Sequence, residues 1–219
     1  MRVVGIVPAA GVARRLQPLP CSKELLLVEG RPVIEYLLTR LERAGCEEIR
    51  VVTRPDKADL RGYLSGRDVE VMLGETGSTA ESLALGTAGL GDRDTVLFGF
   101  PDTIWHPEHG LVDVREALRP PYRVALGIFH GEEPARSDVV EIDDDRVTRV
   151  HVKPRVPPGD QVWGCAALEA GTLRTVADEA GVLFDALARR GLVAAVELPG
   201  SFVDVGTPQA MRRLGASAA

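Results

Sequence analysis

The amino-acid sequence predicts an α/β fold: a mostly parallel sheet with helices on both faces and a small β-rich annex. Two patterns carry that expectation. Across the first half, short β-branched runs alternate with segments whose apolar residues recur at helical spacing, joined by short connections. In the second half strand-like runs crowd together, with a turn signal between two of them. A chain of 219 residues is long enough to bury about 70% of its unfolded surface, so no disulfide or metal is needed to support a core.

Val3 to Val7 is β-branched and ends at Pro8, which reads as a buried strand. Ala9 to Lys23 is a loop of small residues, Pro and Arg. From Pro32, the positions Val33, Ile34, Leu37, Leu38, Leu41 and Ala44 trace a helix, with Pro32 in its first turn and Gly45 just past its end. Glu48–Thr53, Val69–Leu73 and Thr95–Phe98 read as strands; Lys57–Ser65 and Thr79–Ala88 read as helices. Further on, Arg123–Phe129, Asp138–Ile142, Val147–Val152, Val162–Leu168, Val193–Leu198 and Phe202–Val205 are strand-like. Asp143 to Arg146 is a hairpin connection. Helical patterns cover Thr172–Ala180, Leu183–Arg190 and Pro208–Leu214. No linker, repeat or low-complexity stretch divides the chain, so residues 1–219 read as one domain.

Composition excludes several classes of function. Hydrophobic residues make up 45% and charged residues 26%, which argues against disorder. The net charge of −6 argues against nucleic-acid binding, which needs a basic face. No apolar run reaches the roughly 18 residues of a membrane span, and Met1 to Val7 is too short for a signal peptide. The odd, scattered cysteines (Cys21, Cys46, Cys165) suggest reduced thiols and a cytoplasmic protein rather than a disulfide framework or zinc site. His106, His109, His130 and His151 show no zinc-binding spacing.

Polar chemistry gathers in loops that follow strands, where open α/β sheets bind ligands. The loop Pro8 to Leu25 brings small residues (Ala9, Ala10, Gly11) together with Arg14, Arg15 and Lys23, and has no acid before Glu24. That suits a polyphosphate, and a solvated surface loop fits composition alone equally well. It is not a Gly-x-x-x-x-Gly-Lys-Ser/Thr loop.

The same loop resembles the signature of the sugar-1-phosphate nucleotidyltransferases, the nucleotide-sugar pyrophosphorylases, and in particular glucose-1-phosphate thymidylyltransferase-like proteins. Their Gly-Gly-x-Gly-Thr-Arg-Leu-x-Pro-Leu stands here as Ala10-Gly11-Val12-Ala13-Arg14-Arg15-Leu16-Gln17-Pro18-Leu19, followed by Ser22-Lys23 and Leu26-Leu27-Val28. Ser78-Thr79-Ala80 resembles the base-contacting Gly-Thr-Ala stretch, and Phe100-Pro101-Asp102 the metal-binding Gly-Asp turn. Val152-Lys153-Pro154 resembles Glu-Lys-Pro, and Asp204-Val205-Gly206-Thr207-Pro208 matches Asp-x-Gly-Thr-Pro.

The resemblance implies a Rossmann-like fold of the nucleotide-diphospho-sugar transferase type, with residues 1–120 as nucleotide-binding half and 121–219 as sugar-phosphate-binding half. It implies Mg²⁺-dependent transfer of a nucleotidyl group from an NTP to a sugar-1-phosphate. Arg15, Lys23, Asp102 and Lys153 would be catalytic, and Asp102 and Asp204 would hold Mg²⁺. Carboxylates at strand ends suit a cation that prefers one or two acids plus phosphate oxygens. Ala9, Ala10, Gly11, Gly77, Ser78, Thr79 and Ala80 would contact the nucleotide. Lys153, Trp163 and Gly164 would contact the sugar phosphate, with Trp163 a stacking face or simply core, and with His151 on the same strand face as Lys153.

Ala13, Arg14 and Val152 depart from the pattern, the last where relatives carry a Glu that accepts hydrogen bonds from sugar hydroxyls. The loop from Leu16 to Lys23 is also slightly short. No C-terminal β-helix domain is expected, and the sequence leaves a homo-oligomer open. Two alternatives remain: a cytidylyltransferase for a polyol phosphate, and a non-catalytic nucleotide-sugar-binding regulator.

Overall fold

A computed structural model describes residues 1–13, 16–175, 179–206 and 208–214. The chain begins with β1 (Val3–Pro8), the short strands β2 (Leu27–Val28) and β3 (Arg31–Pro32), and α1 (Ile34–Arg43). It continues with β4 (Glu48–Thr53), α2 (Ala58–Leu64), β5 (Glu70–Leu73), α3 (Thr79–Gly86), β6 (Thr95–Gly99), β7 (Thr103–Trp105) and α4 (Gly110–Ala117). Then follow β8 (Val124–His130), β9 (Val139–Asp143), β10 (Arg146–His151), β11 (Gln161–Glu169) and α5 (Ala180–Ala188). The chain closes with β12 (Val193–Glu197), β13 (Phe202–Asp204) and α6 (Pro208–Arg213).

Nine strands form one sheet in the order β5-β4-β1-β6-β11-β8-β12-β10-β9. The β5-β4-β1-β6 half is parallel throughout. β11 enters antiparallel between β6 and β8, while β12 runs parallel to β8. The second half is therefore mixed, and its strands extend the main sheet. The β-rich material expected as an annex is divided between the β9–β10 edge hairpin and a separate β7–β13 ribbon.

Strand β1 shows why the sheet is covered on both faces. Val3 and Val7 pack into one apolar cluster with Leu37 and Leu41 of α1, Leu60 of α2 and Leu111 of α4. Val4 and Ile6 point the other way, into a cluster with Leu83 of α3 and Phe184 of α5. A strand buried on both faces is a continuous apolar run, which is what Val3–Val7 displays. In α1, Ile34, Leu37, Leu38 and Leu41 form the buried stripe, and Gly45 at φ +75° lies just past the helix end.

Three elements depart from expectation. Pro32 lies in β3, and α1 starts after Val33. The pattern at Thr172–Ala180 becomes a 3-10 turn over Ala170–Thr175, with 176–178 outside the described residues and α5 starting at Ala180. β7 and α4 were not anticipated: β7 is three residues long, and the buried residues of α4 are only Gly110, Leu111 and Val114. Among the described residues no helix is long and apolar enough to cross a membrane.

β1 has β4 on one side and β6 on the other, so successive crossovers diverge at β1. Such a switch point leaves a crevice beyond the carboxyl ends of the two strands. Helix α3 lies close over β1: a Cβ on Gly86 would stand 2.6 Å from Cγ2 of Ile6. Gly86→Val should therefore cost about 1–3 kcal/mol through overpacking, seen as a lower urea midpoint with an unchanged m value.

Candidate functional site

The crevice opens into a cavity of about 420 Å³. Pro8 and Gly11 line it after β1, Thr76 to Thr79 after β5, and Phe100 to Thr103 after β6. The second half supplies Ser137, Asp138, Lys153, Trp163, Phe202 and Asp204.

The loop after β1 is anchored by a buried charge. Glu24 has no exposed surface, and Lys57 Nζ donates to both of its carboxylate oxygens at 2.9 Å. Lys57 Nζ also donates to the carbonyl of Ala9 at 2.8 Å. Burial pushes the Glu24 carboxyl pKa up, and Lys57 and Lys23 oppose that shift. A carboxylate buried this deeply requires a cation beside it. Ala9 also donates its N–H to Val52 O, so its backbone is committed to the sheet and to Lys57. Ala13, where relatives place Gly, has φ +49°, in the left-handed region that glycine favours.

Lys23, next to Glu24, turns into the cavity, where its Nζ donates to Oδ2 of Asp102 at 2.6 Å. Burial disfavours this ammonium, but Asp102, Glu24 and Asp204 outweigh it and hold its pKa above the usual lysine value. A Cβ on Gly11 would stand 3.7 Å from that Nζ, so glycine leaves the ammonium head uncovered.

The two acids are brought together by the β7–β13 ribbon. Asp204 pairs with Thr103 across the ribbon, and Val205 N–H bonds to the Asp102 carbonyl at 2.8 Å. The point where a side chain on Gly206 would begin lies 2.7 Å from Oδ1 of Asp204 and 3.4 Å from Oδ2 of Asp102. Two hard oxygen donors thus flank a space that any other residue at 206 would fill. Such a donor set fits a small divalent cation that takes its remaining ligands from phosphate and water.

On the wall contributed by the second half, Lys153 follows β10 with φ +39°. Its Nζ donates to Glu179 at 2.9 Å, and its backbone N–H to Oδ1 of Asp138 at 3.2 Å. The Trp163 indole N–H donates to Oδ2 of Asp138 at 3.3 Å. Its ring packs against Phe98, Phe100 and Phe184, with centroids 5.9, 5.3 and 5.2 Å away. Trp163 is 5% exposed, which matches the core alternative rather than an open stacking face.

The cavity collects Gly11, Lys23, Gly77, Ser78, Thr79, Asp102, Lys153, Trp163 and Asp204. Ser78 caps α3 by accepting the Glu81 N–H at 3.1 Å, and Glu81 accepts the Gly77 N–H at 2.7 Å. Ala9, Ala10 and Ala80 are buried and do not line the cavity. Nor does Gly164, which sits at a bulge in β11 beneath Phe202; a Cβ there would stand 2.4 Å from the Phe202 ring. His151 bonds Glu141 at 2.8 Å instead of facing the cavity, because the strand ends there and alternation stops. Arg14, Arg15 and Thr207 lie outside the described residues.

Sequence reasoning passed over Lys57, Asp138, Glu179 and Gly181. One signal was available for Lys57. The 26 basic residues include just three lysines, Lys23, Lys57 and Lys153. Lys57 lines a second cavity of about 330 Å³ beside the same loop, together with Gly11 and Lys23.

The sequence profile of the MobA-like NTP transferase domain matches residues 5–193. A glucose-1-phosphate thymidylyltransferase of Neisseria meningitidis is 28% identical over 174 residues, covering 75% of this chain and 59% of that protein. A Mycolicibacterium smegmatis protein of the same name is 31% identical over 163 residues, covering 70% and 56%. The matched part is thus less than two thirds of either relative's length. A UDP-glucose pyrophosphorylase solved with UDP-glucose superposes with a TM-score of 0.84 at 17% identity, over 98% of this chain and 97% of that one. The names agree with the resemblance read from the motifs, and the structural likeness establishes the fold.

Removing the cation from beside Glu24 should be severe. Lys57→Ala is expected to cost about 3–5 kcal/mol, and Glu24→Gln in the same background should recover part of the loss in urea titrations. Gly164→Ala should act at a distance, displacing Phe202 and with it Asp204 two residues on; near-UV circular dichroism would report the aromatic shift.

Proposed function

This chain belongs to the MobA-like NTP transferase domain family, and we propose that it joins an NTP and a sugar-1-phosphate into an NDP-sugar, releasing pyrophosphate with Mg²⁺ as cofactor. The observation that carries this reading is the layout of one cleft. Lys23, Asp102 and Asp204 cluster in the same cleft that Lys153 lines beside Asp138 and Glu179.

The nucleotide belongs to the half formed by residues 1–120. Its triphosphate lies along Gly11 and Lys23, and its base and ribose reach Gly77, Ser78 and Thr79 at the start of α3. Helix starts suit anionic and polar ligands because their N–H groups lack intrahelical partners. Arg15, by the motif resemblance, adds a second cation to the leaving phosphates. The sugar phosphate belongs to the half formed by residues 121–219, with its phosphate held by Lys153 after that lysine leaves Glu179.

Asp102 and Asp204 would hold Mg²⁺, which supplies charge neutralisation between nucleotide and acceptor oxygens. A phosphate oxygen of the acceptor attacks the α-phosphorus in line with the bond to the β-phosphate. That bond breaks, and its electron pair leaves on pyrophosphate. Lys23 stabilises the charge that develops on the departing group. Lys153 fixes the attacking oxygen, so the protein contributes position and electrostatics rather than a nucleophile.

The test is pyrophosphate release across the common NTPs, crossed with sugar-1-phosphates and polyol phosphates. Release should occur with sugar-1-phosphates and stop with EDTA. Asp102→Ala and Lys23→Ala should each lower kcat by about 100-fold or more. Release confined to CTP and a polyol phosphate would reassign the acceptor. Thermal stabilisation by nucleotides without any release would reassign the chain as a binding regulator.

A further inference from the structure

Asp138 stands just before β9, half-buried in the wall of the cleft. Its two oxygens are each held by one protein N–H, from Lys153 at 3.2 Å and from Trp163 at 3.3 Å. An ionised carboxylate has about four acceptor sites. Two fixed donors therefore orient the group and leave acceptor capacity for a ligand in the cavity. Burial raises its pKa and Lys153 opposes that shift, as expected of a carboxylate short of donors.

Gly181, in the first turn of α5, shows where this group sits. The point at which a side chain on Gly181 would begin lies 2.3 Å from Oδ2 of Asp138 and 3.0 Å from Cγ2 of Val152. The side chains of 138 and 152 therefore converge on one spot. Position 138 offers a carboxylate there and position 152 only methyl groups. The absence of a side chain at Gly181 is what admits the carboxylate. Lys153 follows Val152 directly, and its left-handed backbone, at φ +39°, presents its N–H to Asp138 while its side chain remains at the cleft. Strained backbone at a ligand site is a recurring device of pre-organisation.

We propose that Asp138 is the specificity-determining residue for the acceptor, accepting hydrogen bonds from adjacent ring hydroxyls of a sugar phosphate whose phosphate is held by Lys153. This rests on the nucleotidyltransferase reading above and deepens it. The favoured acceptor is a neutral sugar ring with free adjacent hydroxyls, because a bidentate carboxylate matches two donors side by side. Removing either hydroxyl leaves the remaining acceptor site of one carboxylate oxygen desolvated and unfilled, which discriminates against the deoxy analogue.

The experiment uses the full chain and reads acceptor and NTP KM separately, with calorimetric binding of the sugar-1-phosphate alongside. Asp138→Asn keeps the shape of the side chain and removes its charge. It should raise the acceptor KM by roughly 10- to 100-fold and leave the NTP KM within about two-fold. Deoxy analogues of the acceptor should bind worse than the parent in the wild type and nearly equally in the variant. Gly181→Ala should produce the same acceptor defect by displacing the carboxylate, which guards against a fold defect peculiar to position 138. An active wild type whose Asp138→Asn form keeps its acceptor KM and its discrimination against deoxy analogues would overturn this inference alone. A wild type that neither binds nor turns over any sugar-1-phosphate would overturn the functional reading with it.

Discussion

Glu24 is a carboxylate with no exposed surface, and the architecture around the cleft depends on how it is neutralised. Lys57, from the start of α2, reaches both oxygens and also the Ala9 carbonyl at the end of β1. One ammonium thereby ties a central strand, the loop that follows it and a helix. Because Lys23 adjoins Glu24, the same anchor sets where the Lys23 ammonium points, and it points to Asp102. Charge works beside a small apolar cluster in placing the loop: Leu16, Leu19 and Cys21 pack with Leu26, Val28, Val33 and Val205.

The second constraint is aromatic. Phe202 stacks on Phe129 with centroids 5.0 Å apart and covers Gly164. This seats the β7–β13 ribbon against the sheet and brings Asp204 to Asp102. On the other face, Phe98, Phe100, Trp163 and Phe184 form a cluster in which Trp163 holds Asp138. Aromatic packing thus fixes the ribbon that carries Asp204 and the indole that orients Asp138. The sheet carries both halves of the cleft on one continuous surface, so their spacing is set by strand register and not by a hinge.

Much of this was legible in the sequence, and the limits have physical causes. The parallel strands β1, β4 and β6 are buried on both faces, so their apolar runs announce them. Lys23, Asp102, Lys153 and Asp204 were legible because motifs preserve order along the chain. Asp138, Glu179 and Gly181 were not, since their meaning arises from contacts among β9, β11, α5 and the turn after β10. Trp163 and Gly164 were placed in the right strand with the wrong orientation for Gly164: the bulge at that residue alters the alternation that a sequence pattern assumes. The Thr172–Ala180 pattern has helical apolar spacing but closes as a 3-10 turn, with the Gly171 N–H donating to the Asp92 carbonyl at 2.9 Å.

The scarcity of lysine has a chemical consequence. Outside Lys23, Lys57 and Lys153 the positive charge of the side chains is carried by guanidinium. Guanidinium groups stay protonated and are poor nucleophiles at neutral pH. Apart from the amino terminus, every primary amine of the protein therefore borders the cleft or its adjoining cavity. Lys153 is half exposed, at 51%, whereas Lys23 is at 19% and Lys57 at 11%. An amine-directed electrophile, such as an activated ester or an aldehyde with a reductant, meets a surface nearly blank to it except at Lys153 and the amino terminus of Met1. Acylation chemistry that decorates most proteins indiscriminately becomes, here, a label for two positions, of which Lys153 is the one at the cleft.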